Sequence, residues 1–237
     1  MDRNLGWDGI FNARDLGGLR AADGRTTRAG ALVRSDALTR LTEAGWAALY
    51  DHDVRTIIDL RNDFERVAGE TPRPVDIDLV HLPLDPLADK EFWAPYAESG
   101  LHSTPIYYEP LLRRHPHLVA DLVSTVTGAR QGGVLFHCAS GRDRTGLTAL
   151  LLLALVGVPA DLIADDYELS IARTPLLNAA LGRSDAEPAI AALLAEHGAD
   201  AREIVVEVAR FSTSAEFLDM AGLADLGALR ERLLEAA

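Results

Sequence analysis

Residues 137–146 hold the side chains with the greatest potential for chemistry in this sequence. They read His-Cys-Ala-Ser-Gly-Arg-Asp-Arg-Thr-Gly and contain Cys138, the only cysteine in 237 residues. A short apolar run at 134–136 precedes them, and a longer run without charge follows at 147–156. This order predicts a strand, a tight loop with a glycine, and a helix.

A loop of this kind is a natural site for an anion, because its backbone N–H groups and the positive end of the following helix surround one point. The same dipoles, together with nearby arginines, stabilise a thiolate and so acidify a thiol. Cys138 and Arg144, six positions apart, therefore predict a nucleophile and a guanidinium fork around one bound oxyanion.

Hydrolysis of a phosphate monoester by this route requires a nucleophile, donors for the phosphoryl oxygens, a proton donor and later a water. Cys138 is the expected nucleophile, and the Thr145 hydroxyl is expected to stabilise its thiolate. His137 is expected to support the loop backbone rather than to act as a base. The residues expected around the phosphate are Ala139, Ser140, Gly141, Arg142, Asp143 and Arg144.

The composition of the chain disfavours several classes of partner and cofactor. The formal net charge of −13 disfavours nucleic acid and anionic membranes as partners. One cysteine excludes an intramolecular disulfide, and the seven histidines have no metal-ligand spacing, so neither a metal nor another cofactor is expected. The apolar run at 147–158 is too short to span a bilayer, and the first ten residues lack an apolar signal segment. We expect a cytoplasmic protein without stable membrane insertion; the sequence does not indicate its oligomeric state.

The remaining patterns predict an α/β fold, with a central, mostly parallel sheet flanked by helices and followed by a helical region. Strands are expected at 32–34, 54–60, 77–82 and 134–136, and helices at 43–50, 116–128, 147–156 and 159–172. Three short helices are expected in the last 60 residues, at 185–197, 200–210 and 214–235.

Residues 87–112 are more difficult to interpret because proline and glycine interrupt their aromatic clusters. We expect a mobile or helical flap in this segment. Its aromatic side chains could line a substrate cleft or pack on the core, and the sequence favours neither alternative. They are Phe92, Trp93, Tyr107 and Tyr108.

The segment at 137–146 resembles the signature of the cysteine-dependent phosphatases, His-Cys-x-x-Gly-x-x-Arg-(Ser/Thr). Asp143 to Gly146, with a basic residue at 142, is similar to the bacterial branch that acts on phosphotyrosine and often on phosphoinositides. That branch usually has lysine where this chain has Arg142, a change that keeps the charge and alters the hydrogen-bond geometry.

Other segments extend the resemblance over roughly residues 8–173. They are Asn-Ala-Arg-Asp-Leu-Gly-Gly at 12–18, Arg-Ser-Asp-Ala-Leu at 34–38, Ile-Asp-Leu-Arg at 58–61, and Asp165, Tyr167 and Ser170. The resemblance implies a phosphatase-like domain over 1–237, with a core at 8–173 and a helical extension at 174–237 packed on it.

The resemblance implies two candidates for the proton donor. Asp85 matches the position of the mobile-loop aspartate of the broader superfamily. Asp143 is its rival from the bacterial branch, and it is preferred because it lies beside the phosphate and needs no loop closure.

Six charged residues before the segment at 137–146 could form a second anion site. Because acids and bases alternate among them, ion pairs that connect turns beneath the loop are the preferred interpretation. These residues are Arg14, Asp15, Arg34, Asp36, Asp59 and Arg61.

The resemblance implies a protein-tyrosine phosphatase that forms a cysteinyl-phosphate intermediate, with broad specificity or phosphoinositide activity as variants. The expected partner is a phosphorylated protein or a phosphoinositide, and Arg142 favours a substrate with extra negative charge. A noncatalytic phosphate-binding module and a sulfur- or arsenate-handling enzyme are the alternatives from other classes.

Overall fold

A computed structural model describes residues 3–66 and 74–236. Within them, one sheet has the strand order β1-β2-β5-β3-β4, and its only antiparallel pair is β1 with β2. The strands are β1 (Arg14–Asp15), β2 (Leu32–Ser35), β3 (Val54–Asp59), β4 (Asp78–His81) and β5 (Gly133–His137). The predicted α/β class with a mostly parallel sheet is confirmed.

Helices surround the sheet and make up most of the second half of the chain. They are α1 (Glu43–Asp51), α2 (Lys90–Ser99), α3 (Tyr108–Arg114), α4 (His117–Gly128), α5 (Asp143–Leu155), α6 (Ala160–Ala180), α7 (Glu187–Glu196), α8 (Ala201–Phe211), α9 (Ala215–Met220) and α10 (Gly227–Leu233). Short 3₁₀ turns lie at Leu38–Arg40, Asp63–Glu65, Leu101–Ser103 and Pro105–Tyr107.

The central strand β5 explains why the loop at 138–142 lies where it does. Leu135 pairs with Val33 of β2 on one side and with Ile57 of β3 on the other, and all five residues of β5 are buried. Its side chains alternate between two apolar cores, with Leu135 beside α1 and Phe136 beside α5. The loop therefore emerges from the centre of the sheet, at the carboxyl ends of its parallel strands.

The ends of the helices follow local rules. Thr42 caps α1, because its side-chain oxygen accepts a hydrogen bond from the Gly45 N–H at 3.2 Å. Gly157, with φ of +91°, follows the end of α5, where a left-handed residue stops a helix readily. Residues 145–155 of α5 are all buried, so this helix is core, as its lack of charge predicted.

Two predicted helix boundaries were wrong. Helix α6 continues to Ala180 instead of ending near 172, and it runs through Pro175. Thr174 and Leu177 are buried in this extension, so tertiary packing stabilises it beyond its local propensity. The segment predicted as one helix at 214–235 forms α9 and α10, and Gly222, with φ of +67°, lies in the break between them.

The segment at 87–112 is helical, and its aromatic side chains belong to the core. Phe92, Tyr107 and Tyr108 are buried, and Trp93 packs against their cluster. The rings also contact one another, with centroids of Trp93 and Tyr107 separated by 5.2 Å. This arrangement supports core packing over a substrate cleft for these side chains.

No helix among the described residues is both long enough and apolar enough to cross a membrane.

The position of Leu135 between the two neighbouring strands makes it a sharp test of the fold. We expect Leu135→Ala to lower the free energy of unfolding by about 2–5 kcal/mol, because it opens a cavity in the closed core. Urea denaturation followed by circular dichroism measures this loss. Leu176→Ala is the control, since that side chain is 59% exposed on α6; an equal loss there would contradict the assigned core.

Candidate active site

The loop between β5 and α5 holds Cys138 in a buried position at the end of the central strand. Gly141 has φ of +71°, and a Cβ atom there would lie 2.7 Å from the Ser35 carbonyl oxygen. Glycine is therefore required at this position by both backbone conformation and space. The predicted strand, loop and helix are present, with α5 beginning at Asp143.

Hydrogen bonds from outside the loop orient its peptide groups. The Asn12 side-chain amide donates to the carbonyl oxygens of Ser140 and Gly141, each at 3.1 Å. The Arg34 guanidinium also donates to the Gly141 carbonyl, at 2.9 Å, and the Ala37 N–H donates to the Ala139 carbonyl, at 3.1 Å. Because C=O and N–H point in opposite directions across a trans peptide, these contacts direct the loop N–H groups inward.

The arginines behind the loop converge on Asp166 of α6. Its carboxylate accepts from Arg14 Nε at 2.9 Å and from Arg34 Nη1 at 2.7 Å, and the Ser170 hydroxyl accepts from both arginines at 2.9 Å. Burial tends to raise the pKa of Asp166, but the charges of Arg14 and Arg34 outweigh it and hold that pKa below its ordinary value. The carboxylate therefore stays ionised inside the protein.

Asp15 and Asp36, two acids of the alternating set, have other hydrogen-bond partners. Asp15 bonds to His52 and to the N–H groups of Gly17 and Gly30 instead of pairing with an arginine. Asp36 accepts from the N–H of Asn12 at 2.9 Å.

Asp59 and Arg61 do pair with each other, as expected, with Nη2 and Oδ2 separated by 2.8 Å. The interpretation as supports beneath the loop is therefore confirmed for this pair. Arg14 and Arg34 pair with Asp166 of α6, an acid outside the alternating set.

Arg144 is held by two acids from other elements. Glu65, in the 3₁₀ turn after β3, binds Nη1 and Nη2, the latter at 2.6 Å, and Asp85 Oδ2 lies 3.3 Å from Nε. Burial tends to lower the pKa of Arg144, but the bond to Glu65 and the charge of Asp85 raise it overall. Asn62 fixes Glu65 in turn through a backbone hydrogen bond at 2.9 Å.

Sequence reasoning missed Glu65. The available signal was its place just after a buried strand that neighbours β5, since acids there lie at the same edge of the sheet as the loop.

The two candidate proton donors both lie at this site. Asp143 is the first residue of α5, and its Oδ1 accepts from Arg142 Nη1 at 2.6 Å. Burial raises the pKa of Asp143 in spite of the Arg142 charge. Burial also raises the pKa of Asp85, to about 6, against the charge of Arg144. Asp85 Oδ1 is buried and has no hydrogen-bond partner among the described residues.

Arg142 was expected beside the phosphate, but its guanidinium binds groups of the protein. Its side chain turns into the protein, where Nε and Nη2 donate to Glu187 of α7 at 2.6 and 2.8 Å. Its Nη1 also donates to the Ser103 carbonyl oxygen at 3.1 Å. The guanidinium is thus directed at protein acceptors, and a contribution to phosphate binding stays a prediction.

His137 directly precedes Cys138, and Thr145 lies in the first turn of α5. His137 Nδ1 forms a hydrogen bond with the Cys138 carbonyl oxygen at 3.0 Å, a contact that suits support of the backbone. The Thr145 hydroxyl is buried and has no hydrogen-bond partner among the described residues. Its predicted interaction with a thiolate stays a prediction.

This geometry can bind a tetrahedral oxyanion and attack it. Inward N–H groups and the start of α5 supply donors, Arg144 supplies a charged fork, and Cys138 supplies a thiol at the base. Two carboxyl groups with raised pKa stand beside the same point, so proton transfer is available.

Comparison with known proteins gives a consistent result. The profile of the tyrosine phosphatase family matches residues 5–235. A Cupriavidus necator protein named as a tyrosine-protein phosphatase is 32% identical over 183 residues, covering 74% of this chain and 66% of that protein. The triple specificity protein phosphatase PtpB of Mycobacterium tuberculosis is 32% identical over 203 residues, covering 72% of this chain and 70% of that protein.

The chain thus spans about two thirds of the length of these relatives. Among solved structures, TpbA of P. aeruginosa aligns with 78% of this chain and 90% of its own at 19% identity, with a TM-score of 0.36. That likeness is too loose to carry an argument.

Asn12 tests whether the loop is oriented from behind. We expect Asn12→Ala to weaken the binding of inorganic phosphate about 10-fold, because two buried loop carbonyls lose their donor and the N–H groups lose their orientation. Isothermal titration calorimetry measures the affinity. Asn178→Ala, at a partly exposed site near the end of α6, is the matched control, and equal affinities for the two variants would contradict the assignment.

Proposed function

The chain belongs to the tyrosine phosphatase family, and we propose that it hydrolyses the phosphate monoester of phosphotyrosine through a cysteinyl-phosphate intermediate. The observation that carries this proposal is the arrangement of Cys138 and Arg144 around a loop whose carbonyl groups are bonded outward. Cys138 and Arg144 then offer a nucleophile and a charged donor to one phosphoryl group, beside the oriented N–H groups of the loop.

In the first step, the Cys138 thiolate attacks phosphorus in line with the leaving oxygen. The S–P bond forms as the P–O bond to the tyrosine ring breaks, and the phenolic oxygen takes a proton from the acid. The loop N–H groups and Arg144 hold the three equatorial oxygens, where charge develops in the transition state.

We assign the proton donor to Asp143. Its side chain is 22% exposed and is oriented through Oδ1 by Arg142, which leaves Oδ2 available to carry the proton. Asp85 is 16% exposed, but its Oδ1 is buried and its Oδ2 faces Arg144. Asp85 is therefore better arranged to hold the arginine than to reach a leaving group.

In the second step, Asp143 as carboxylate removes a proton from water, and the water oxygen attacks phosphorus. The S–P bond breaks and the thiolate of Cys138 leaves, which regenerates the enzyme and releases inorganic phosphate. The buried Thr145 hydroxyl, which has no other hydrogen-bond partner among the described residues, is available to donate to that thiolate.

Phosphotyrosine is the substrate that the charge arrangement favours. Arg142 is directed at Glu187 and Asp143, so it does not offer an unpaired charge to a second phosphate group. The mycobacterial relative is named as a triple specificity phosphatase, and phosphoinositides are therefore the second substrate class to test. A noncatalytic phosphate-binding module is disfavoured because the nucleophile, the arginine and both candidate acids lie together.

The proposed location is the cytoplasm. A catalytic thiol such as Cys138 is active only when reduced, and a reducing compartment keeps it so.

Cys138→Ser tests the nucleophile. We expect turnover of p-nitrophenyl phosphate to fall by roughly 10⁴-fold or more, while phosphate still binds, because the donors stay in place. Phosphate release and calorimetry measure the two quantities. The wild-type rate should not change with EDTA, since no step uses a metal. Retained turnover in the serine variant would overturn the mechanism.

Asp143→Asn and Asp85→Asn, compared on two aryl phosphates, test the acid. We expect Asp143→Asn to lose far more rate on phenyl phosphate, a poor leaving group, than on p-nitrophenyl phosphate, because only the poor leaving group needs a proton. Asp85→Asn should slow both substrates alike through Arg144. The reverse pattern would assign the acid to Asp85.

The pH profile supplies a second readout for Asp143. The wild-type kcat/KM on phenyl phosphate, which reports the first step, should fall as the pH rises through the raised pKa of Asp143, because only its protonated form donates. This alkaline fall should be absent from Asp143→Asn, and its persistence would exclude Asp143 as the donor.

A further inference from the structure

A buried ion pair joins the C-terminal helices to the phosphate loop. Glu187, the first residue of α7, accepts from Arg142 through both carboxylate oxygens, at 2.6 and 2.8 Å. Arg142 is 3% exposed and Glu187 is 9% exposed, so water is largely excluded from the pair. A bidentate pair of this kind fixes the plane of the guanidinium as well as its position.

The remaining nitrogen of the same guanidinium points at Asp143. Arg142 Nη1 donates to Asp143 Oδ1 at 2.6 Å and to the Ser103 carbonyl oxygen at 3.1 Å, and Nη1 lies 3.4 Å from the Tyr167 hydroxyl. Because a guanidinium is rigid and planar, the direction of Nη1 follows from the grip of Glu187 on the other two nitrogens.

Arg142 keeps its positive charge between the carboxyl groups of Glu187 and Asp143. Burial by itself lowers the pKa of Arg142, but the charges of Asp143 and Glu187 raise it above its ordinary value, so the guanidinium stays charged. Removal of Glu187 would leave Asp143 as the only carboxyl group bonded to this arginine, among the described residues.

We propose that Glu187 is a positioning residue for Asp143 and acts on it through Arg142. The proposal rests on the proposed function, in which Asp143 donates the proton. It makes the helical region after α6 part of the active site, because α7 supplies the carboxylate that orients the acid.

The test is the dependence of rate on leaving group in Glu187→Gln. We expect kcat on phenyl phosphate to fall about 10-fold more than kcat on p-nitrophenyl phosphate, because a misdirected acid matters only where the leaving oxygen needs its proton. A purely structural loss would slow both substrates equally. Glu187→Asp, which keeps the carboxylate, should recover part of the phenyl phosphate rate.

Glu196→Gln is the matched control, because Glu196 is exposed at the far end of the same helix. It should behave as the wild type on both substrates. Circular dichroism and phosphate affinity report whether Glu187→Gln is folded with an intact loop, and Glu187→Asp supplies the readout if it is not.

The outcomes separate the two proposals. Absence of phosphate release by the wild type on every aryl phosphate overturns the proposed function and this inference with it. An active wild type in which Asp143→Asn shows the leaving-group effect and Glu187→Gln does not overturns the inference alone. Equal losses on both substrates in folded Glu187→Gln, without recovery in Glu187→Asp, also overturn it.

Discussion

The loop at 138–142, the proposed phosphate site, depends on one buried carboxylate, that of Asp166, which accepts hydrogen bonds from Arg14 and Arg34. Arg34 and Asn12 then reach the loop and bind its carbonyl groups, so the direction of the N–H groups is set from behind. Loss of one member of such a buried pair leaves an uncompensated charge, at a cost of roughly 3–5 kcal/mol. These contacts hold β1, β2 and α6 together beneath the loop.

The same principle operates on the open side of the loop. Arg144 is oriented by Glu65 and Asp85, and Arg142 is oriented by Glu187, so each arginine of the loop is held by acids from other elements. In the proposed reaction, a phosphate group would meet donors that are already directed, which reduces the reorganisation needed. The chain has a formal net charge of −13, and some of its acidic side chains, Glu65, Asp85 and Glu187 among them, hold these arginines in place.

Local patterns predicted most of the framework. An apolar run, a glycine and a second apolar run predicted the strand, loop and helix around Cys138. Thr42, as a helix-capping residue, predicted the start of α1. Prediction failed where packing outweighs propensity. Helix α6 runs through Pro175 and buries Thr174 and Leu177 beyond its predicted end. For the aromatic side chains at 92–108 the sequence favoured neither a cleft nor the core, and their packing on one another decided for the core.

The sequence by itself predicted Cys138 as nucleophile, Arg144 as its guanidinium partner and the strand before them, because these features are close along the chain and depend on residue type. The two candidate acids, Asp85 and Asp143, were predicted from the family resemblance. Tertiary structure alone decided which acid holds which arginine. Glu65, Asp166 and Glu187 are each separated from their partners by many residues, and a hydrogen bond depends on distances of a few tenths of an ångström. No local pattern encodes such distances; only the packing of β3, α6 and α7 around the loop does.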